Sequence, residues 1–143
     1  MFKKIMLFFA ILLASVSVSK AQDCNGSYLG TLDVVKMNDK NYDKVSNQAF
    51  TISNFNLTGK VAKIGKMPGD INIDLDIDEN DGQLSSSSSE CGTLNVFGFI
   101  PVKLYLTSFS GSCTGNTIEF TIKCTGLYKG SSIAAEVHYT GSK

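Results

Sequence analysis

The chain has no arginine, no tryptophan, one histidine and only two prolines in 143 residues. Nucleic-acid recognition leans on clustered Lys and Arg and on bidentate guanidinium contacts, so a chain without arginine is a poor candidate for it. A lone histidine and four cysteines without a Cys-x-x-Cys pair speak against a Cys/His zinc site. Beyond the first residues, no apolar run approaches the roughly 20 residues of a membrane-crossing helix. Apolar residues nowhere recur at helical spacing for three turns, which leaves strands to carry the fold.

What is present begins with a targeting segment. Lys3-Lys4 form a positive start, Ile5–Ala14 an apolar stretch too short to span a bilayer, and Ser19-Lys20-Ala21 a small-residue cleavage site. Residues 1–21 are therefore expected to be a signal peptide, leaving 143 − 21 = 122 residues (22–143) as one domain. The expected location is periplasmic or extracellular. Lipid anchoring through Cys24 is the lesser alternative, because Gln22-Asp23 are polar where a lipoprotein signal needs small or aliphatic residues.

The stretch Met67–Gly82 carries the clearest pattern. Ile71, Ile73, Leu75 and Ile77 alternate with Asp70, Asn72, Asp74, Asp76 and Asp78, which predicts a strand with one aliphatic and one acidic face. Pro68-Gly69 turns the chain in and Glu79-Asn80-Asp81-Gly82 turns it out. Similar signals recur over Tyr28–Val35, with Tyr28, Gly30, Leu32 and Val34 on one face, and over Ala49–Asn54 and Phe55–Ile64. Thr93–Phe99 and Val102–Phe109 read as a hairpin around Ile100-Pro101, followed by strands at Thr117–Cys124 and Ile133–Thr140. The serine-rich Gln83–Glu90 is either a poor edge strand or a loop. The fold class is all-β, an antiparallel up-and-down barrel of eight or nine strands, or a flattened sandwich.

Several motifs carry a resemblance. Tyr28-x-Gly30-x-Leu32, Phe55-x-Leu57-x-Gly59, the segment Ile64–Ile73 and the terminal Tyr139-Thr140-Gly141-Ser142-Lys143 resemble the calycin-like, lipocalin-like barrel domain of exported Bacteroidetes proteins. The resemblance spans nearly the whole of residues 22–143 and implies a lipocalin-type barrel. True lipocalins carry Gly-x-Trp on the first strand, whereas here Gly30 is followed by Thr31-Leu32. Transport of an apolar ligand therefore does not carry over by itself.

Candidate sites are few. Asp78, Asn80 and Asp81 form the best oxygen cluster for a cation, but strand residues Asp74, Asp76 and Asp78 lie about 7 Å apart along one face, too far for one ion. A solvated acidic face is expected, with no metal and no cofactor. His138 lies opposite the presumed core, with neither an orienting partner nor a nucleophile marked, so no catalytic set is expected. Tyr28, Phe50, Phe55, Tyr105, Phe120 and Tyr139 are the candidates to line a ligand cavity in the barrel, if they do not simply fill it.

The four cysteines of an exported domain suggest disulfides. One full strand separates Cys113 from Cys124, which excludes that pair. Strand direction favours Cys91–Cys113, and after it Cys24–Cys124. The function expected first is binding of a small apolar molecule or lipid. The alternative is an envelope or secreted protein-interaction module with a packed core, its protein partner unidentified.

Overall fold

The computed structural model describes residues 23–143; the expected signal peptide lies outside the described residues. Eleven strands form one sheet: β1 (Gly26–Met37), β2 (Lys40–Tyr42), β3 (Val45–Ser53), β4 (Asn56–Val61), β5 (Gly69–Asp76), β6 (Asp78–Asn80), β7 (Gln83–Ser85), β8 (Glu90–Val96), β9 (Ile100–Cys113), β10 (Thr117–Tyr128) and β11 (Ser131–Ser142). No helix occurs among the described residues. Eight of the strands, in the order β1-β3-β4-β5-β8-β9-β10-β11, close on themselves through β11 and β1. Short β2 lies beside β1, and the β6–β7 hairpin attaches to β9.

Closure settles the strand count. When every strand runs antiparallel to the next, first and last strands are antiparallel only if the number is even. β1 and β11 pair antiparallel from Leu29↔Ser142 to Met37↔Ala135, so the closed ring has eight strands rather than nine. The serine run is both things expected of it. Gln83–Ser85 is a three-residue strand, and the residues before Glu90 are irregular.

The acidic stretch keeps the predicted alternation but is not one strand. β5 ends at Asp76, the Ile77 N–H donates to the Phe55 carbonyl at 2.9 Å, and Asp78–Asn80 form β6, although the sequence puts Glu79 and Asn80 in the turn. Ile71, Ile73, Leu75 and Ile77 are no more than 3% exposed, while Asn72, Asp74, Asp76 and Asp78 face water. The core continues through Leu57, Val61, Leu94, Leu104, Ile122 and Val137. Several hairpins reverse through residue pairs with positive φ: Asn38-Asp39 (50° and 68°), Asp81-Gly82 (53° and 84°) and Lys129-Gly130 (53° and 81°). Such pairs match the twist of antiparallel strands, and Asn, Asp and Gly adopt them at least cost.

Local details differ from the expected ones. On β1, Tyr28 and Leu32 point inward, but the pairing with β11 skips one residue between Leu32 and Val34, so Val35 and Met37 take the inner face instead of Val34. Asp33 is the extra residue of this bulge. The turn between β8 and β9 lies at Phe97–Phe99, and Pro101 stands inside β9 at an exposed position. The strand expected from Phe55 begins at Asn56, because Asn54 and Phe55 form a turn with φ of 53° and 60°.

Candidate functional site

The barrel interior is the first place to look, and aromatic rings occupy it. Tyr28, Phe50, Phe120 and Tyr139 are each at most 1% exposed. Phe50 lies 4.6 Å from Tyr139 and 5.2 Å from Phe120 between ring centroids, Phe120 lies 5.2 Å from Tyr139, and Phe109 stacks on Phe120 at 6.0 Å. These spacings are those of packed aromatic clusters. Gly59, opposite Phe50 in the register, leaves room for the Phe50 ring, which a Cβ there would strike. The phenols have protein partners: Tyr28 donates to the Cys24 carbonyl at 2.6 Å and Tyr139 to the Gln48 carbonyl at 2.8 Å. Burial pushes the Tyr139 hydroxyl up to about 12.

Two of the six candidate aromatics are outside. Phe55 sits in the β3–β4 turn and is 63% exposed. Tyr105 alternates with inward Leu104 on β9, so the two-residue period points it to solvent. Apart from exposed Leu29 on β1 and Leu127 on β10, the outer face of the barrel is mainly polar, with Asn72, Asp74 and Asp76 on β5 and Thr117, Glu119 and Lys123 on β10. A membrane-spanning barrel has the reverse arrangement, with an apolar band outside and a polar lumen.

The outer surface holds a groove of about 550 Å³ between β5 and β8. It exists because β8 pairs with β5 only from Gly69 to Ile73, leaving Asp74–Asp76 without a ladder partner on that side. Serine hydroxyls take over: Ser86 donates to the Asp76 carbonyl, and the Asp76 N–H donates to Ser88 Oγ at 3.2 Å. The lining is polar, with Asp74, Asp76, Glu90, Ser88 and Thr93, and Lys103 lies 3.3 Å from Glu90. The Asn56 amide ties Asp74 (3.0 Å) to Asp76 (3.1 Å). Chemically, the groove offers hydroxyls and carboxylate oxygens, which suit a polar guest and not an apolar one.

Asp78, Asn80 and Asp81, the cation candidates, lie exposed on the β6–β7 hairpin. The cluster of potential ligand atoms found among the described residues is a different one, Cys24, Glu79 and Cys113. Its two sulfurs are joined in a disulfide and so offer no thiolate.

That bridge, Cys24–Cys113, with Cα atoms 5.9 Å apart, corrects both expected pairings. β9 is twice as long as β8, 14 residues against seven. Glu90 pairs with Tyr105, so Cys113 lies eight residues further along β9, on the order of 26 Å away from that point at strand rise. Cys91–Cys113 is thus out of reach. β10 continues past Cys124 to Tyr128, which puts Cys124 in mid-strand opposite Leu106, away from the end where Cys24 lies. Cys91 and Cys124 are both free, buried and hydrogen-bonded to each other; that bond and burial push the Cys91 thiol far up.

His138 is oriented after all. The bulge turns Asp33 out of β1 so that it meets His138 Nδ1, and Glu119 of β10 meets Nε2 at 2.8 Å. Burial alone would lower its pKa, but the two carboxylates outweigh burial and raise it above the ordinary 6.5. The arrangement clasps three strands and leaves neither ring nitrogen free to take a proton from a substrate. Sequence reasoning missed it because a bulge leaves no periodic signal.

No family model matches this chain, and no curated protein does. Among solved structures it is similar to the crystal structure of a putative outer membrane protein from Bacteroides fragilis NCTC 9343, with 13% identity and a TM-score of 0.48. The match covers 83% of this chain and 50% of that one, so the chain spans half the length of its neighbour.

Proposed function

We propose that this chain is an exported, calycin-like barrel that works by binding through its outer surface and loop ends, without an enclosed apolar ligand and without catalysis. The observation that carries this reading is the filled interior: Phe50, Phe120 and Tyr139 pack on one another where a lipocalin-type ligand would sit. Export is supported by the Cys24–Cys113 bridge, since such bonds form and persist in oxidising compartments. The same bond engages the sulfur that a lipid anchor would need.

Native mass spectrometry of protein purified from its own host tests this reading. The expected mass is that of the processed chain less two hydrogens for one disulfide. A stoichiometric apolar molecule that leaves only on denaturation would overturn the proposal and restore the ligand carrier.

A further inference from the structure

The two ends of the barrel differ sharply in charge and in exposed aromatic surface. One end is made by the turns at residues 38–39, 43–44, 62–68, 97–99 and 129–130. It presents exposed Lys40, Lys44, Lys63, Lys66 and Lys129 against Asp39 and Asp43, while Asp70 is paired with Lys60 at 3.3 Å. The opposite end carries both ends of the described residues, Asp23 and Lys143, and with one exposed lysine, Lys143, it presents exposed Asp23, Asp74, Asp76, Asp78, Asp81 and Glu90.

At the tip of the basic end, Phe97 and Phe99 are 71% and 75% exposed. Phe97 is held at φ 57°, a left-handed conformation that is a genuine outlier for a bulky side chain. Phe55, in a turn at the opposite end, is held the same way at φ 60°, so the backbone alone does not set this tip apart; two exposed rings two residues apart, with lysines around them, do. The tip is ordered by its backbone: Phe97 N–H donates to the Pro68 carbonyl at 3.0 Å, and Phe99 N–H to Val96 at 3.2 Å. Beside it, Lys63, Lys66, Pro68 and Phe97 border a hollow of about 430 Å³.

We infer that this end docks on an anionic phospholipid surface, with Phe97 and Phe99 entering the interfacial region and Lys63 and Lys66 meeting headgroup phosphates. The inference rests on the outer-surface reading above. Aromatic rings with lysines around them match the layered chemistry of a bilayer interface, apolar beneath and anionic above. A second copy of the chain is a poor occupant, because two basic ends would face each other. The polar flank of the barrel limits the contact to the tip, so the binding is peripheral and reversible.

The test uses the full exported chain and vesicles of phosphatidylcholine, with or without phosphatidylglycerol. Sedimentation with the anionic vesicles at low salt is expected, weakening as salt is added. Phe97→Ser/Phe99→Ser should lower the partition about tenfold for each ring. Lys63→Gln/Lys66→Gln should lower it about fivefold for each lysine. Phe55→Ser, which removes an exposed ring at the acidic end, should change nothing.

Because the chain has no tryptophan, Phe97→Trp supplies a single indole, which can be excited at wavelengths the five tyrosines do not absorb. Its emission should shift to the blue on addition of anionic vesicles, and this readout does not depend on how well the serine variants fold. The assignment is overturned if the chain stays in the supernatant at low salt, if it sediments with no emission shift, or if a dimer broken by the serine variant accounts for the tip. None of these outcomes adds a mass to the native spectrum, so failure here is separable from failure of the outer-surface reading.

Discussion

Removing the Cys24–Cys113 bridge should lower the melting temperature by an amount set by the loop it closes. The two cysteines are 89 residues apart in sequence, so the bond spans most of the domain. In the chain-entropy picture a loop of that length corresponds to about 4.6 kcal/mol at 25 °C, and measured bridges more often contribute about 2–4 kcal/mol. For a domain of about 120 residues, 1 kcal/mol moves the midpoint by about 4 °C. Cys24→Ser/Cys113→Ser is therefore expected to melt roughly 8–18 °C below the unsubstituted protein. Calorimetry with and without a reductant that reaches the bridge gives an independent measure. Cys91 and Cys124 carry no bond for it to break, so reduction should reproduce the double substitution. A shift under about 3 °C in both experiments would refute the reasoning, as would non-reduced peptide mapping that links Cys91 to Cys113.

Ile73→Asp, which puts a carboxylate in the core, should unfold the domain or nearly so, since the buried side chain contributes about 1.5–3 kcal/mol before the charge is counted. Asp74→Ala on the wet face should stay within about 1 kcal/mol, and urea unfolding of both variants checks the register. Folding raises the pKa of His138, so its contribution is fully present below about pH 6.5 and is lost as pH rises through the higher folded value. With Asp33 and Glu119 side chains 42% and 60% exposed, the clasp is worth about 1 kcal/mol or less. The stability difference between the unsubstituted protein and His138→Asn should shrink over that rise in pH; a difference that grows would reject the assignment. A thiol reagent should titrate Cys91 and Cys124 only after denaturation, and rapid reaction in the native state would contradict their burial. Chelation should leave the melting temperature unchanged, because Asp78, Asn80 and Asp81 lie exposed on the β6–β7 hairpin, which its own backbone ladder holds; a drop of more than a few degrees would reinstate a cation there.

The alternation Ile71–Ile77 against Asn72–Asp78 determined an extended chain and its buried face from sequence alone, because side chains on a strand change sides at every residue whatever the partner is. Turn pairs such as Asp81-Gly82 were legible for the same local reason: few residues accept positive φ. The all-β class followed from the two together. Relations between strands were not legible. That β9 outruns β8 by seven residues depends on which neighbours each finds, and this decided the cysteine pairing. The bulge at Asp33 inverted the inner face of β1 beyond Leu32 and swung a carboxylate onto His138, a contact between residues 105 apart in sequence. Phe55 and Phe50 are equally apolar, but a turn carried the first outside and a strand register carried the second into the core. Composition and period are properties of the chain, whereas register, strand length and closure arise only when separate strands meet, and the geometry of the candidate surface came from there.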